Sequence, residues 1–346
     1  RDLHLSIRRQ RQMCIRDRPS IAPATCLVPL DGVLRITRRR FGVHAGASYR
    51  PFLAAARDPA RLAIAEINRH MPRVAGIPAL GDNRVHVSEV DVLVAHDAEL
   101  VTLPDAVASA ADLAIARQVC DRIAPEAILQ FGIGAIPNAI AGILSERPAA
   151  GFGLHTEMIS DGVMRLHRAG KIANRKPVYD GLTVATFALG SRALYDWLDG
   201  NPEVRMLPVT AVNGAAVLAQ LPRLTSINGA LAIDLAGQAA ADAIGGRQYS
   251  GTGGHESFVS GAGSAPDGHS FLCLRSTATV SGTIVSTITA AFEPGTRVTT
   301  PRHHVQWVVT EHGAVDLSSL DDEERPRALI AIAHPDFRAE LSATLA

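Results

Sequence analysis

The chain has 346 residues, 47% hydrophobic and 20% charged, a globular balance that excludes wholesale disorder. Lys plus Arg and Asp plus Glu each number 34, so there is no basic excess of the kind that nucleic-acid binding requires. Aromatics at 4% leave little base-stacking surface, and no apolar run approaches the roughly 18 residues of a membrane-spanning helix.

Residues 1–40 carry ten arginines against three aspartates. The stretch from Arg8 to Arg18 has neither a helical nor a strand period. A basic arm and a transit peptide are two readings. The favoured one is an irregular or artefactual segment over 1–59, to be left out of fold reasoning. Only two lysines occur, Lys171 and Lys176, so the arginine bias reflects composition more than a partner. Cys14, Cys26, Cys120 and Cys273 form no C-x-x-C pair, which argues against a structural zinc or a disulfide framework.

From about residue 60 the chain becomes regular. A short apolar segment runs from Ala60 to Ile67, and residues 85–95 read as a strand pair. Spacing of three and four predicts a helix within 104–123. A strand over 127–131 enters Gly132-Ile133-Gly134, and a helix follows over 139–144. Strand, glycine turn and helix make an α/β unit. Further on, a strand ends near Met158 and a helix starts near Asp161. A strand over 183–189, a helix over 191–198, an extended stretch over 204–212 and a helix over 215–221 come next. Extended segments at 224–227 and 230–235 follow. Residues 250–268 are glycine-rich and read as ordered loops. Strands at 271–274, 282–290 and 305–310 precede helices at 322–332 and 336–344. The class is α/β, with a boundary near 147–150.

Three motifs could carry chemistry. Gly132-Ile133-Gly134 could present backbone amides to an anion or a carbonyl, or be a plain tight turn. It lacks the Lys-Ser/Thr of a P-loop and the third glycine of a dinucleotide fingerprint. Glu157, in His155-Thr156-Glu157, could be a nucleophile or base, or an ordinary solvated acid. Tyr249-Ser250-Gly251-Thr252-Gly253-Gly254 could serve an oxyanion, or be a turn that needs positive φ. His303 and His304 are adjacent on an expected strand edge and should face opposite ways, which argues against a metal pair.

In this order, and with Val309-Thr310-Glu311-His312-Gly313 and Ile330 to Arg338, these segments resemble the acetyl-CoA hydrolase/transferase family, in particular its 4-hydroxybutyrate CoA-transferase-like members. The resemblance covers about residues 60–346. It implies two similar CoA-transferase-type (NagB/RpiA-like) α/β domains, the first incomplete: a remnant over 60–148 and a C-terminal domain over 149–346. It also implies that the chain is N-terminally truncated.

For the site, the resemblance implies Glu157 as nucleophile. Backbone amides at Ile133 and at Gly253 or Gly254 would face the thioester oxygen. Asn213 and Glu311 would give polar support, and Gly132 and Gly134 would line the CoA site. Coenzyme A would be a substrate, no bound cofactor is expected, and acyl-CoA and a small carboxylic acid would be the partners. Neither nucleic acid nor membrane is expected; the setting would be cytoplasmic, with a homodimer left open. The activity implied is CoA transfer through a glutamyl-CoA thioester, with acyl-CoA hydrolysis or an inactive CoA-binding relic as alternatives. Three departures bear on this. Ala232 stands where relatives usually carry Glu, and His255 where they carry Gln. Thr279, Val280 and Thr287 occupy a segment where relatives often have Lys and Arg.

Overall fold

The computed structural model describes residues 64–80, 92–103, 107–244, 246–248 and 250–345. The expected segment 1–59, part of the 85–95 strand pair and Tyr249 lie outside them. The run Ile-Leu-Gln-Phe forms strand β1 (Ile128–Phe131) and is buried along its length. A strand with no face toward water belongs in a parallel sheet covered on both sides, and its neighbours supply that sheet. β2 (Gly153–Leu154), β3 (Leu224–Gly229), β4 (His269–Cys273), β5 (Trp307–Thr310) and β6 (Gly313–Asp316) join it in the order β6-β5-β4-β3-β1-β2. All pairs are parallel except β5 with β6.

Helices α1 (Ala110–Cys120), α2 (Ala135–Glu146), α3 (Asp161–Arg168), α4 (Arg192–Leu198), α5 (His255–Ser264), α6 (Glu324–Ile332) and α7 (Pro335–Ala343) surround the sheet. Alternation along the strands assigns the two faces. Leu129, Phe131, Ile227, Phe271 and Val309 join Ile115, Val119, Ile140 and Leu144 of α1 and α2 in one core. Leu272 and Val308 join Val259 of α5 and Leu329 of α6 in a second. Ile128 and Leu224 join Phe258 and Ala262 of α5 in a third. The result is a mixed α/β fold built on a parallel sheet.

Local signals place the helix starts. Ser109 and Asp112 form a reciprocal capping box at α1, which satisfies two otherwise orphaned N–H groups. Asp161 at the start of α3 accepts the Ser191 backbone N–H at 2.8 Å and the Ser191 hydroxyl. Ser191 in turn caps α4. Inside the sheet, one polar cluster is closed on itself. Gln130 Oε1 accepts from Ser226 Oγ at 2.8 Å and Asn228 Nδ2 at 3.0 Å, and Gln130 Nε2 donates to Asn228 Oδ1 at 3.2 Å. These buried groups are satisfied across paired strands, as burial demands.

Four expectations need correction. Residues 250–268 are not loops throughout, because α5 occupies 255–264. Its Gly261 serves packing: a Cβ there would stand 2.5 Å from Leu218 Cδ1. The extended stretch over 204–212 ends at Met206, and Val209–Val212 is a single helical turn after Pro208. The 183–189 strand is split at Thr186 into Thr183–Ala185 and Phe187–Ala188. His303 and His304 lie in a turn with ring centroids 4.3 Å apart, not on opposite faces of a strand. As for the boundary near 147–150, this stretch follows α2 on the way from β1 to β2, and these two strands pair in one sheet.

Candidate active site

In parallel sheets, ligands gather beyond the carboxyl ends of the strands. Here Gly132 follows β1, His155-Thr156-Glu157 follows β2, and Glu311 follows β5. Glu157 is held first by its backbone. Its carbonyl accepts Thr186 N at 2.8 Å, Phe187 N at 3.2 Å and Thr186 Oγ1 at 2.9 Å. That is the reason for the break at Thr186: the residue turns aside from the strand to close over Glu157. Thr156 ties the segment inward, its Oγ1 accepting Phe131 N at 3.3 Å. The end of β1, where the first glycine turn begins, is thereby joined to the residue before Glu157.

The carboxylate meets two donors. Asn213 Nδ2 lies 3.2 Å from Oε2, and the Gly254 backbone N–H supplies a second hydrogen bond. Burial pushes the Glu157 pKa up, and these two hydrogen bonds offset only part of that rise. A carboxylate whose charged form is poorly solvated is a better nucleophile than one in bulk water.

The second glycine turn divides its two requirements between neighbours. Gly253 has φ +55°, a left-handed conformation that suits glycine. Gly254 has an ordinary φ of −88°. It must be glycine for space, since its Cβ would overlap the Glu157 carboxylate and the Asn213 amide. In the first turn, Gly134 has φ +122° and begins α2. Gly132 donates to Ile227 O at 2.7 Å and lies beside Asn228, whose Oδ1 would be 3.1 Å from a Cβ there. Ile133 exposes its side chain at the mouth of the turn.

Glu311 has a different hydrogen-bond partner from Glu157. Its carboxylate accepts Ser276 N at 2.9 Å and Ser276 Oγ at 2.6 Å. Burial pushes its pKa up, but those hydrogen bonds outweigh it and the net shift is downward. The ends of β5 and β2 are four strands apart, on the order of 19 Å at the usual spacing. Beside it, Arg275 makes a two-pronged contact with Asp112 at 2.8 and 2.7 Å. The guanidinium holds the buried Asp112 carboxyl down to about 2. Thr287, one of the departures, donates to Arg275 O at 2.6 Å. Thr279 and Val280 are exposed on the hairpin Thr277–Val280 with Thr283–Ser286. His255 is the first residue of α5, and burial depresses its pKa to about 4. Ala232 opens the short strand Ala232–Asp234.

Sequence reasoning assigned no role to several groups around Glu157. His155 is fully buried, and burial holds its pKa near 3. Lys176, one of only two lysines, is buried too and donates to Leu154 O at 2.8 Å and Leu182 O at 2.6 Å. Burial lowers its pKa to about 7. Its rarity was a usable signal. Among the described residues, no group of three or more His, Cys, Asp or Glu is arranged to hold a metal ion. Nor is any described helix long and apolar enough to cross a membrane.

Residues 190–345 match the acetyl-CoA hydrolase/transferase C-terminal domain. The chain is 32% identical to the solved 4-hydroxybutyrate CoA-transferase of Porphyromonas gingivalis, with a TM-score of 0.72, over 88% of this chain and 70% of that one. The chain belongs to the acetyl-CoA hydrolase/transferase family. Within that family it is 40% identical to the 4-hydroxybutyrate coenzyme A transferase of Clostridium kluyveri, over 83% of this chain and 65% of the relative. The structure of RipA from Yersinia pestis matches with a TM-score of 0.75 at 38% identity, over 82% of this chain and 62% of RipA. The chain spans 63–65% of the length of four curated relatives that it matches at 37–40% identity.

Proposed function

We propose that this chain transfers coenzyme A between an acyl-CoA and a small carboxylic acid of the acetate or 4-hydroxybutyrate type, with Glu157 as the covalent nucleophile. Family relatives at 37–40% identity are named as CoA-transferases, for butyrate, 4-hydroxybutyrate, acetate and cyclohexane-1-carboxylate among them. The observation that carries the reading is the Glu157 carboxylate itself. It is desolvated, backbone-pinned at a strand end, and held by one side-chain and one main-chain N–H. We extend this reading to a cytoplasmic setting, in which acyl-CoA and a small carboxylic acid would both be in solution.

In the proposed sequence, a Glu157 oxygen attacks the thioester carbon and the carbonyl π pair moves onto oxygen. Backbone amides of the two glycine turns stabilise that oxyanion. The C–S bond breaks, CoA leaves as thiolate, and a mixed acyl-glutamyl anhydride remains. The thiolate then attacks the Glu157 side-chain carbonyl. The first carboxylate leaves, and a glutamyl-CoA thioester remains. A second carboxylate runs the two steps in reverse, departs as its CoA ester and restores the Glu157 carboxylate. As the Glu157 charge passes to the thioester oxygen in the tetrahedral intermediate, the Gly254 N–H becomes free to turn from the former carboxylate to that oxyanion. Interception of either intermediate by water gives hydrolysis instead.

The test is butyryl-CoA with and without acetate, followed for acetyl-CoA and free CoA, together with borohydride treatment of the acylated protein. Acetate-dependent acetyl-CoA formation and a reduced Glu157 are expected. CoA release indifferent to acetate would replace transfer by hydrolysis. CoA binding without turnover would overturn both.

A further inference from the structure

We propose that His155 is a positioning residue for Glu157, holding the Val209–Val212 turn, and through it Asn213, where the Asn213 amide meets the carboxylate. The proposal rests on the reading of Glu157 as nucleophile. His155 and Glu157 are two residues apart in the short connection that follows β2. They reach two consecutive residues of the same turn. His155 Nε2 lies 2.7 Å from Val212 O, and Glu157 Oε2 lies 3.2 Å from Asn213 Nδ2. The two contacts are rungs between one strand end and one helical turn.

The chemistry of each rung is fixed. A carbonyl only accepts, so the His155 proton sits on Nε2 and the ring donates. His155 Nδ1 has no hydrogen-bond partner among the described residues. The ring is fully buried, and Lys176 adds to the electrostatic cost of charging it. A neutral ring spent on a carbonyl cannot act as acid or base near neutral pH, so its contribution is geometric. The last carbonyls of a helix have no partner within it. Here Val212 O is taken by His155, and Ala211 O by Tyr179 Oη at 3.1 Å. The Tyr179 ring stacks on His155 with centroids 6.0 Å apart. Asn213 needs this external hold because, among the described residues, its Oδ1 is buried without a partner. With no described residue bonded to that side of the amide, its aim follows from the backbone at Val212 and Asn213.

The test compares His155→Leu, which keeps bulk but lacks the donor, with His155→Gln, whose amide nitrogen can reach the same carbonyl. His155→Leu should lower kcat for CoA transfer by about 10- to 100-fold, the scale of an ångström-sized misplacement, with KM for acyl-CoA within about twofold. His155→Gln should recover most of that loss. In an Asn213→Ala background, His155→Leu should cost less than about twofold more, because coupled residues are not additive. The acid limb of the rate profile should move to higher pH in His155→Leu as it does in Asn213→Ala, since Glu157 loses the same hydrogen bond. A ¹³C titration of the Glu157 carboxyl reads this shift without turnover. Should the wild-type chain transfer no CoA, the functional reading falls and this titration alone decides on His155. Full multiplicative losses in the double variant, or an unmoved Glu157 titration, would overturn the proposal. If the leucine variant does not fold, His155→Asn, whose amide stops short of Val212, takes its place against His155→Gln.

Discussion

A Cβ built on Gly254 would lie 1.8 Å from Oε2 of Glu157, far closer than an unbonded carbon and oxygen can stand. The clash arises from space alone, because the backbone at Gly254 is ordinary. Gly254→Ala should therefore fold with little loss of thermal stability while losing about 10²- to 10³-fold in CoA transfer, the scale set by one displaced oxyanion donor. Thermal melts run beside the transfer assay check this. Equal losses in both would mean that the turn is structural.

Glu157→Gln should lose at least about 10³-fold in turnover, as removal of a covalent nucleophile does. Its effect on stability should run the other way. Burial raises the Glu157 pKa, so the stability tied to its protonated form is present below the unfolded pKa and lost as pH rises through the folded one. At neutral pH the ionised carboxylate is a net cost that glutamine removes. Denaturant midpoints should be equal or higher in the variant at pH 7, and the gain should shrink toward pH 4. A midpoint that falls at pH 7 would contradict the sign.

Lys176 predicts a second pH effect. Its pKa is lowered by burial from 10.5 to about 7. Between those values the unfolded chain binds the proton and the folded chain does not, so this group makes stability rise with pH. Lys176→Met should flatten that rise between about pH 7 and 10. The check is the difference between wild-type and variant urea midpoints across that range. Parallel curves would place the charge elsewhere.

Asp112 serves two partners at once, the Ser109 cap and Arg275. Asp112→Ala should destabilise the chain by about 1–3 kcal/mol, the usual cost of a lost cap and a lost charged hydrogen bond. The Arg275 hydrogen bonds lower the Asp112 pKa to about 2. The stability they contribute is present above pH 3.8 and lost as pH falls toward 2. Wild type and variant should therefore converge in acid.

The strand, glycine turn and helix at 128–146 were legible because each local signal agreed with the next. β1 is a short apolar run, and Gly134 takes a backbone angle that other residues avoid. The α5 helix was not legible. Its glycines and serines mimic a loop, and the reason for Gly261 is the side chain of Leu218, 43 positions away. The turn at 209–212 was hidden by valines that favour strands, and tertiary contacts to Tyr179 and His155 override that preference. Glu157 was readable as a candidate from its place at a strand end. Its partners Asn213 and Gly254 come from segments 56 and 97 residues further on, and no spacing rule joins them. Glu311 stood in a readable motif, yet its local partner proved to be Ser276.

The closed cluster of Gln130, Ser226 and Asn228 acts as a key between two strands that the chain must align across almost a hundred residues. Aliphatic neighbours would tolerate several offsets at similar energy. The amides and the hydroxyl tolerate one, because a shift of β3 by a single residue turns Ser226 and Asn228 to the other face and strands Gln130 in the interior. Misaligned sheets are thereby penalised by unpaired polar groups more than by poor packing. The offset that survives is the one that sets Gly132 beside Asn228.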